Sequence, residues 1–450
     1  MVSSGSDAAT PSSPRDRVCL SRAVSGGRCC LPARGVSRAQ PPRRAPSPPL
    51  FPVGPIVRAA AATVAVSWAA AVAWGVAARV SRGAPAAPLL AACLSPLAGA
   101  YLAVCLLAYS LQTRLLFHPV GAIGAPAPPG VEEVALETED GERLRAYVWP
   151  PPRRPAGGSC WRRARGGGGG STWLVLLHGN AGNRATRLRW MGAVRARLGC
   201  GVAIPDYRGY GGSSGAPSEP GLMADARAVL RWLRGAAGGG DRAGPLRLGH
   251  GDRVFLVGES MGCSLAVYLA AEAHRTARGD PSAGAAGALA VGRAMLGCPA
   301  DAGPHVAGLV LHSPFTSAAD VGKARYPFLP RAIVTHRFPS DEWQRGLPDV
   351  LPKMVLHSDA DATVPYALGR RLYGLLRGAR CFVRMRGLGH NDVTWWADAA
   401  QASGTLGAYL AALGDFAADP GRFAPPEGAD RLLLGPSDPP EAAPGEGAPG

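Results

Sequence analysis

A short apolar run that ends in a Gly-x-Ser-x-Gly turn constrains this chain more than any other feature. The run Val254–Val257 predicts a buried strand, and the turn Gly-Glu-Ser-Met-Gly follows it directly at 258–262. The next residues, Cys263–Ala270, have a helical pattern. A serine between such a strand and such a helix lies on a cramped turn that lifts its hydroxyl above the sheet. Gly258 and Gly262 fit this turn because a strained serine backbone leaves no room for Cβ atoms beside it.

The context of this turn distinguishes it from a chance match. Gly-x-Ser-x-Gly arises easily in a chain with 61 glycines among 450 residues, and a structural turn is the alternative reading. The strand before it and the helix after it favour a nucleophile. We therefore predict that Ser260 is catalytic.

Composition restricts the class of protein without identifying it. The net charge is +16, but only Lys323 and Lys353 are lysines, so an arginine-rich composition across the whole chain explains the charge. No RNA-binding or helix-turn-helix signature accompanies it, and we expect no nucleic-acid partner. The ten cysteines have neither zinc spacing nor a disulfide framework. We therefore expect free thiols in a reducing compartment and no bound metal.

The first 57 residues differ from the rest of the chain. Residues 1–57 are rich in Ser, Arg, Pro and Ala, and Asp7 and Asp16 are their only acids. Such a segment cannot bury a core. An organellar transit peptide and a disordered cytosolic arm both fit this composition.

Residues 58–114 contain two uncharged apolar stretches. Ala84–Thr113 is rich in Leu, Val and Tyr and is longer than the roughly 20 residues that cross a bilayer as a helix. We predict a transmembrane helix there, which Pro96 would kink but not forbid. Ala59–Ala78 is dominated by alanine. Three interpretations of this stretch stay open: a partner span, a signal-like segment, or neither. Because arginines flank both stretches, the sequence does not decide between a single span and a hairpin.

Residues 115–417 alternate between strand and helix patterns. This alternation predicts an α/β domain with a mostly parallel central sheet and helices on both faces. Glycine-rich insertions are predicted near 152–170, 235–251 and 276–305, and a disordered tail over 418–450.

The loop after an early central strand supplies candidate oxyanion donors. The strand Thr172–Leu177 ends in His-Gly-Asn-Ala-Gly-Asn at 178–183. A loop in this position provides one backbone N–H of an oxyanion hole, and the residue after the nucleophile provides the other. We assign these donors to Asn180 and Met261. His178 is expected to brace the loop rather than to take part in the chemistry.

A carboxylate and a histidine follow in the order that a Ser–Asp–His triad needs. The strand Lys353–His357 leads into a loop with two acids, Asp359 and Asp361. We prefer Asp361 because it stands four residues before Pro365. His390 follows the last predicted strand between a glycine and an asparagine, and we predict that it is the general base.

The segment after the third-last strand has the position of a lid. Residues 318–347 fit neither a strand nor a long helix. Phe315, Tyr326 and Phe328 are the predicted substrate-binding residues. An apolar groove for an acyl chain and the ordinary packing of a short cap are both open explanations.

Together these residues predict acyl transfer. His390 accepts the Ser260 proton, Asp361 orients the imidazole, and Ser260 attacks a carbonyl held by two N–H groups. Water then hydrolyses the acyl-enzyme. This chemistry requires no metal and no organic cofactor.

Six motifs carry a resemblance to a known family. They are His-Gly-Asn-Ala-Gly-Asn at 178–183, Tyr-Arg-Gly-Tyr-Gly-Gly-Ser-Ser-Gly at 207–215, Pro-Ser-Glu-Pro-Gly-Leu at 217–222, Gly-Glu-Ser-Met-Gly at 258–262, Ser-Pro-Phe-Thr-Ser at 313–317 and Gly-His-Asn-Asp at 389–392. The chain resembles the membrane-anchored α/β-hydrolase-domain (ABHD-type, bud-emergence Bem-like) serine hydrolases. The resemblance implies an α/β-hydrolase fold with a small lid, in a monomer tethered by an N-terminal anchor to an endomembrane or an organelle. It also implies ester or thioester substrates in lipids or acylated proteins.

The sequence departs from this family in its glycine-rich insertions, its long N-terminal extension and the Ser358-Asp359 pair in the acid loop. Two alternatives to an esterase, thioesterase or lipase stay open. One is a serine peptidase of the same fold, although no propeller or peptide-gating domain is encoded. The other is a catalytically silent membrane scaffold, against which the intact set of site residues argues.

Overall fold

The computed structural model describes residues 66–82 except 67, 71 and 79, then 86–121, 127–152, 171–237, 248, 252–278, 290–291, 305–392, 405–419 and 431–433. The predicted N-terminal segment 1–57 lies outside the described residues. So do nearly all of the three predicted insertions and of the predicted tail. The predictions for these segments stay predictions.

Strands and helices alternate along the described chain. The strands are β1 (His118–Pro119), β2 (Glu132–Glu137), β3 (Arg143–Trp149), β4 (Thr172–Leu177), β5 (Ala181–Gly182), β6 (Gly201–Pro205), β7 (Arg253–Glu259), β8 (Ala290–Val291), β9 (His305–His312), β10 (Lys353–Ser358), β11 (Arg380–Met385) and β12 (Arg431–Leu433). The α-helices are α1 (Ala86–Leu116), α2 (Leu188–Leu198), α3 (Glu219–Ala237), α4 (Met261–Ala277), α5 (Ala318–Arg325), α6 (Ser340–Trp343), α7 (Tyr366–Leu375) and α8 (Thr405–Ala418).

A mostly parallel sheet lies at the centre of the fold. Its strands lie side by side in the order β12-β11-β10-β9-β7-β4-β6-β3-β2, with β8 beside β9. The hairpin of β2 and β3 is antiparallel, and β3 is also antiparallel to β6. The pairs among β4, β6, β7, β9, β10, β11 and β12 are parallel. The predicted α/β architecture is confirmed.

Two apolar layers cover the two faces of this sheet. Along β7, Val254 and Leu256 join one buried cluster, and the alternate residues Phe255 and Val257 join the other. This alternation follows from the two-residue period of a strand. Helix α4 packs into the first cluster, while α2 and α8 pack into the second. Helices on both faces explain why the central strands are apolar along their whole length.

Helix α1 is long and apolar. Its segment Ser95–Leu116 has 22 residues and the length and composition of a membrane span, and only a small share of it is buried against the rest of the protein. The helix contains Pro96 and extends three residues beyond the predicted stretch, to Leu116. A shorter apolar helix covers Trp68–Ala78.

The segment predicted as a lid consists of short helices and turns, in agreement with a sequence that fits neither a strand nor a long helix. Helix α5, two 3₁₀ turns at Arg331–Ile333 and Gln344–Gly346, and the four-residue α6 follow one another between β9 and β10. Since β4, β7, β9, β10 and β11 are parallel, the loops that follow them meet at one edge of the sheet. Open α/β sheets bind their ligands at this edge.

Candidate active site

The serine of the Gly-x-Ser-x-Gly turn has a strained backbone. Ser260 lies between the end of β7 and the start of α4. Its φ of 53° and ψ of −118° are rare for a residue other than glycine. Its N–H donates a hydrogen bond to the carbonyl of His312 at 2.9 Å. A Cβ at Gly258 would overlap with the Cα of Cys263, and a Cβ at Gly262 would overlap with the carbonyl oxygen of Leu177. Both glycines are therefore required by close backbone approach.

The two predicted oxyanion donors lie beside this serine. Asn180 and Met261 both line the same cavity as Ser260. Met261 is the first residue of α4, and the first N–H groups of a helix have no acceptor within the helix. The N–H of Met261 therefore has no acceptor within the helix, as a donor to an oxyanion requires.

The Asn180 loop is held on several sides. The Asn180 carbonyl accepts hydrogen bonds from the Tyr210 hydroxyl at 2.8 Å and the His118 N–H at 2.9 Å. Its side-chain Nδ2 donates to the carbonyl of Leu116, the last residue of α1, at 2.8 Å. The short parallel pair of β1 with β5 follows directly. Sequence reasoning missed these contacts, because nothing in the Asn180 motif identifies residues 30 to 64 positions away as its partners.

His178 lies under this loop rather than in the cavity. Its ring is fully buried, with Nδ1 at 2.8 Å from the Gly179 carbonyl and Nε2 at 3.3 Å from a carboxylate oxygen of Asp206. The Tyr207 hydroxyl donates to the His178 carbonyl at 2.8 Å. These contacts agree with the predicted role of a brace.

A carboxylate and an imidazole meet in the loops after β10 and β11. Asp361 Oδ2 lies 2.6 Å from His390 Nδ1. Asp361 Oδ1 accepts hydrogen bonds from the N–H groups of Thr363 and Val364, both at 2.8 Å. Burial raises the pKa of Asp361, but hydrogen bonds from His357 and His390 outweigh it and hold the pKa well below its usual range. The carboxyl group is therefore ionised and fixed beside the imidazole.

Asp359, the other acid of this loop, has different partners. Its Oδ2 accepts from Arg384 Nε and Nη2 at 3.0 and 2.9 Å, and its Oδ1 accepts from the Gly387 N–H at 3.1 Å. Asp359 thus holds the loop that leads to His390, while Asp361 contacts the His390 ring itself.

A cavity of about 250 Å³ opens above Ser260. Of the predicted substrate-binding residues, Phe315 and Tyr326 line it. Phe328 packs against Tyr326 beside the cavity wall, with ring centroids 6.3 Å apart. Thr363 and Val364 of the acid loop also line the cavity, so the serine, the predicted oxyanion donors and the acid loop surround one space.

Glu259 has a structural partner. Its carboxylate accepts two hydrogen bonds from Arg187, at 3.1 and 2.9 Å, and both side chains are buried. Burial raises the pKa of Glu259, but the charge and hydrogen bonds of Arg187 outweigh it and lower the pKa to about 2. Glu259 is therefore an anchor of the elbow and not a base.

Two histidines at strand ends were missed as part of the site. His312 ends β9 and its pKa is lowered to about 4 by burial, so the ring is neutral. His357 Nε2 lies 3.1 Å from the Val364 carbonyl and 3.4 Å from Asp361 Oδ2. Both histidines stand at the carboxyl ends of predicted parallel strands, and this feature of the sequence could have identified them. Within the described ranges, no group of three His, Cys, Asp or Glu side chains has an arrangement that could hold a metal ion.

Comparison with known proteins adds a family. A profile described as alpha/beta hydrolase fold matches residues 172–282. An uncharacterized protein of Mycobacterium tuberculosis is 33% identical over 289 residues, which cover 63% of this chain and 82% of the relative. The lysophosphatidylserine lipases ABHD12 of Macaca fascicularis and Danio rerio are 28% and 31% identical over 226 and 217 residues. The matches span 46% of the length of each of these lipases.

Among solved structures, an esterase of Pyrococcus furiosus has a TM-score of 0.42 at 15% identity, covering 67% of this chain and 97% of the esterase. The family profile lies on the segment from β4 through α4, which holds the Asn180 loop and the elbow. The mycobacterial match covers more than two thirds of that relative. The chain therefore belongs to the alpha/beta hydrolase fold family and is an ABHD-type hydrolase.

Proposed function

We propose that the chain is a serine hydrolase that cleaves carboxylic ester or thioester bonds through an acyl-enzyme on Ser260. His390 takes the Ser260 proton as the hydroxyl attacks the carbonyl carbon, and it then gives this proton to the leaving group. Asp361 keeps His390 in the tautomer whose Nε2 accepts the proton. The N–H groups of Asn180 and Met261 stabilise the oxyanion. Water then attacks the acyl carbon with His390 as the base and releases the acid.

A single observation carries this proposal. The strained Ser260 lies in the floor of a cavity that the Asp361 loop also lines, and Asp361 is hydrogen-bonded to His390 at 2.6 Å. A structural turn requires neither the strain nor a buried, ionised carboxylate behind an imidazole.

The cavity wall supports a lipid-like substrate. Its side chains from the lid and α1 are mainly apolar, and Lys323, Arg325 and Arg331 are its charged members. An apolar wall suits an acyl chain. Lys323 and Arg325 suit an anionic head group, whereas Arg331 forms an ion pair with Asp320. We therefore favour single-chain phospholipids among the ester substrates, in line with the names of the lipases from Macaca fascicularis and Danio rerio. Acylated proteins are the other substrate class.

We also propose that α1 anchors the enzyme in an endomembrane or organellar membrane as a monomer. The support is its Ser95–Leu116 segment, whose 22 residues match the thickness of a bilayer. Most of its large apolar side chains are exposed.

A fluorophosphonate probe tests the enzyme class on the full-length protein in detergent micelles. Wild type is expected to be labelled, and Ser260→Ala is expected to lose the label. Ser218→Ala, at a hydroxyl that accepts the Gly221 N–H and does not line the cavity, is expected to keep it. A folded wild type that takes no label would overturn the proposal and favour a catalytically silent scaffold. A label that persists in folded Ser260→Ala would also overturn it.

A further inference from the structure

Helix α1 contributes side chains to the cavity above Ser260. The residues of α1 that line this cavity are Ala108, Gln112, Leu115 and Leu116. Their spacing of four, three and one residues places them on a single helix face. Away from this face α1 carries large exposed apolar side chains, Leu102, Leu106 and Leu107. One helix therefore has a face toward the cavity and an apolar face that no described part of the protein covers.

The lid is fastened to the same helix. The Tyr101 hydroxyl donates to the Phe328 carbonyl at 2.8 Å. Gln112 donates from Nε2 to the Ile333 carbonyl at 3.3 Å and accepts the Thr335 N–H at 2.7 Å. These bonds join the lid to α1 at two positions, one on each side of Ala108.

The distance along α1 relates cavity depth to acyl-chain length. Leu116 is at the Ser260 end of this face, because its carbonyl accepts a hydrogen bond from the Asn180 side chain and all three residues line the cavity. Ala108 lies eight residues earlier, a rise of about 12 Å. An extended carbon chain advances by about 1.2 Å per bond, as extended backbone does. A chain attached at Ser260 and lying along α1 thus reaches Ala108 near its tenth carbon.

We propose that the candidate membrane helix α1 is a wall of the acyl-chain site, and that the small side chain of Ala108 admits long chains. This inference rests on the proposed function, and it adds a specificity-determining residue. The long acyl chain lies between α1 and the lid, with its carbonyl at Ser260 and its end toward the part of α1 that the bilayer would surround.

The test uses full-length wild type, Ala108→Trp and Ala103→Trp in mixed micelles with p-nitrophenyl butyrate and p-nitrophenyl palmitate. Ala103 is exposed on another side of the same helix and gives a matched control. In Ala108→Trp, the ratio of kcat/KM for the C16 ester to that for the C4 ester is expected to fall at least about tenfold, as for a filled apolar pocket. In Ala103→Trp this ratio is expected to stay at the wild-type value.

Equal C16-to-C4 ratios of kcat/KM in the two variants would overturn the proposal that α1 forms a wall of the acyl-chain site. Fluorophosphonate labelling of wild type would in that case leave the proposed function in place. A wild type that cleaves neither ester and takes no label would overturn the proposed function instead. Ala108→Leu provides a smaller insertion in case the tryptophan prevents folding. It must lower the same ratio by a smaller factor, and an unchanged ratio in folded Ala108→Leu would contradict the proposal.

Discussion

The two sides of the cavity are built by different means. On the elbow side, Ser260 is held by its own strained backbone, by a hydrogen bond to the His312 carbonyl and by glycines that no larger residue could replace. On the side of α1 and the lid, most of the hydrogen bonds join a side chain to backbone, and Tyr326 remains partly exposed. The elbow side is fixed by close packing, whereas the other side is adjustable.

This difference separates chemistry from selectivity. Backbone contacts at van der Waals limits leave no room for adjustment, so a change on the elbow side should abolish catalysis or destabilise the fold. Substitutions at α1 or the lid change the shape of an apolar wall, so they should alter which ester is preferred.

The largest effect is expected at the carboxylate behind His390. Asp361→Asn should lower kcat about 10⁴-fold, because an amide no longer holds the imidazole in the reactive tautomer. The matched control is Asp359→Asn, which removes an ion pair with Arg384 and should change kcat by less than about tenfold. Hydrolysis of p-nitrophenyl butyrate measures both. An equal loss in the two variants would show that Asp361 has no special role.

The second effect concerns stability and its pH dependence. Glu259→Gln leaves Arg187 buried without its counter-charge, which should cost roughly 3–5 kcal/mol in the free energy of unfolding. The pKa of Glu259, about 2 in the folded state, lies below its unfolded value of about 4.3. Its stabilisation is therefore complete above the unfolded pKa and is lost as pH falls toward the folded pKa.

The thermal midpoint of unfolding measures this effect. The difference between wild type and Glu259→Gln should be constant near neutral pH and should shrink as the pH is lowered below about 4. Glu132→Gln, which changes an exposed carboxylate on β2, is the control and should leave the midpoint nearly unchanged. A difference that grows in acid would contradict the ion-pair account.

The third effect is a matched pair of glycine substitutions. In Gly262→Ala the new Cβ overlaps with the Leu177 carbonyl, so the elbow must shift, and kcat/KM should fall at least about 10²-fold. Gly235, in α3, has no atom within 4 Å of an added Cβ. Gly235→Ala should keep full activity and raise stability by about 0.5–1 kcal/mol. Full activity in Gly262→Ala would mean that the elbow is adjustable after all.

The elbow side was also the more predictable of the two from sequence. The apolar run before Ser260 and the order of Asp361 and His390 along the chain indicate the fold and the edge of the sheet at which these residues are expected. Such signals are local, or they depend only on the order of elements. Boundaries were less exact: α3 extends to Ala237, into the predicted insertion that begins at 235.

The side of α1 and the lid could not be derived in the same way. Hydropathy predicts the helix in Ala84–Thr113, but a helix that is apolar all round gives no sign of which stripe faces the protein. The contacts of Gln112 with the lid join residues more than 220 positions apart. His357 was missed for a similar reason, since its proximity to Asp361 depends on how the acid loop turns back over β10.

The smallest effect is expected where Gln112 fastens the lid. Gln112→Ala removes two hydrogen bonds to lid backbone. Each contributes about 1 kcal/mol or less, because the groups are solvated. Their loss should therefore raise KM several-fold with little change in kcat. Gln112→Glu keeps an acceptor for the Thr335 N–H but loses the donor to the Ile333 carbonyl, so its KM should lie between those of wild type and Gln112→Ala. Ser110→Ala removes a hydroxyl that bonds only within α1, to Leu106, and should leave KM unchanged. A fall in kcat comparable to that of Gly262→Ala would mean that the lid side also positions the reacting groups, and the separation of chemistry from selectivity would be wrong.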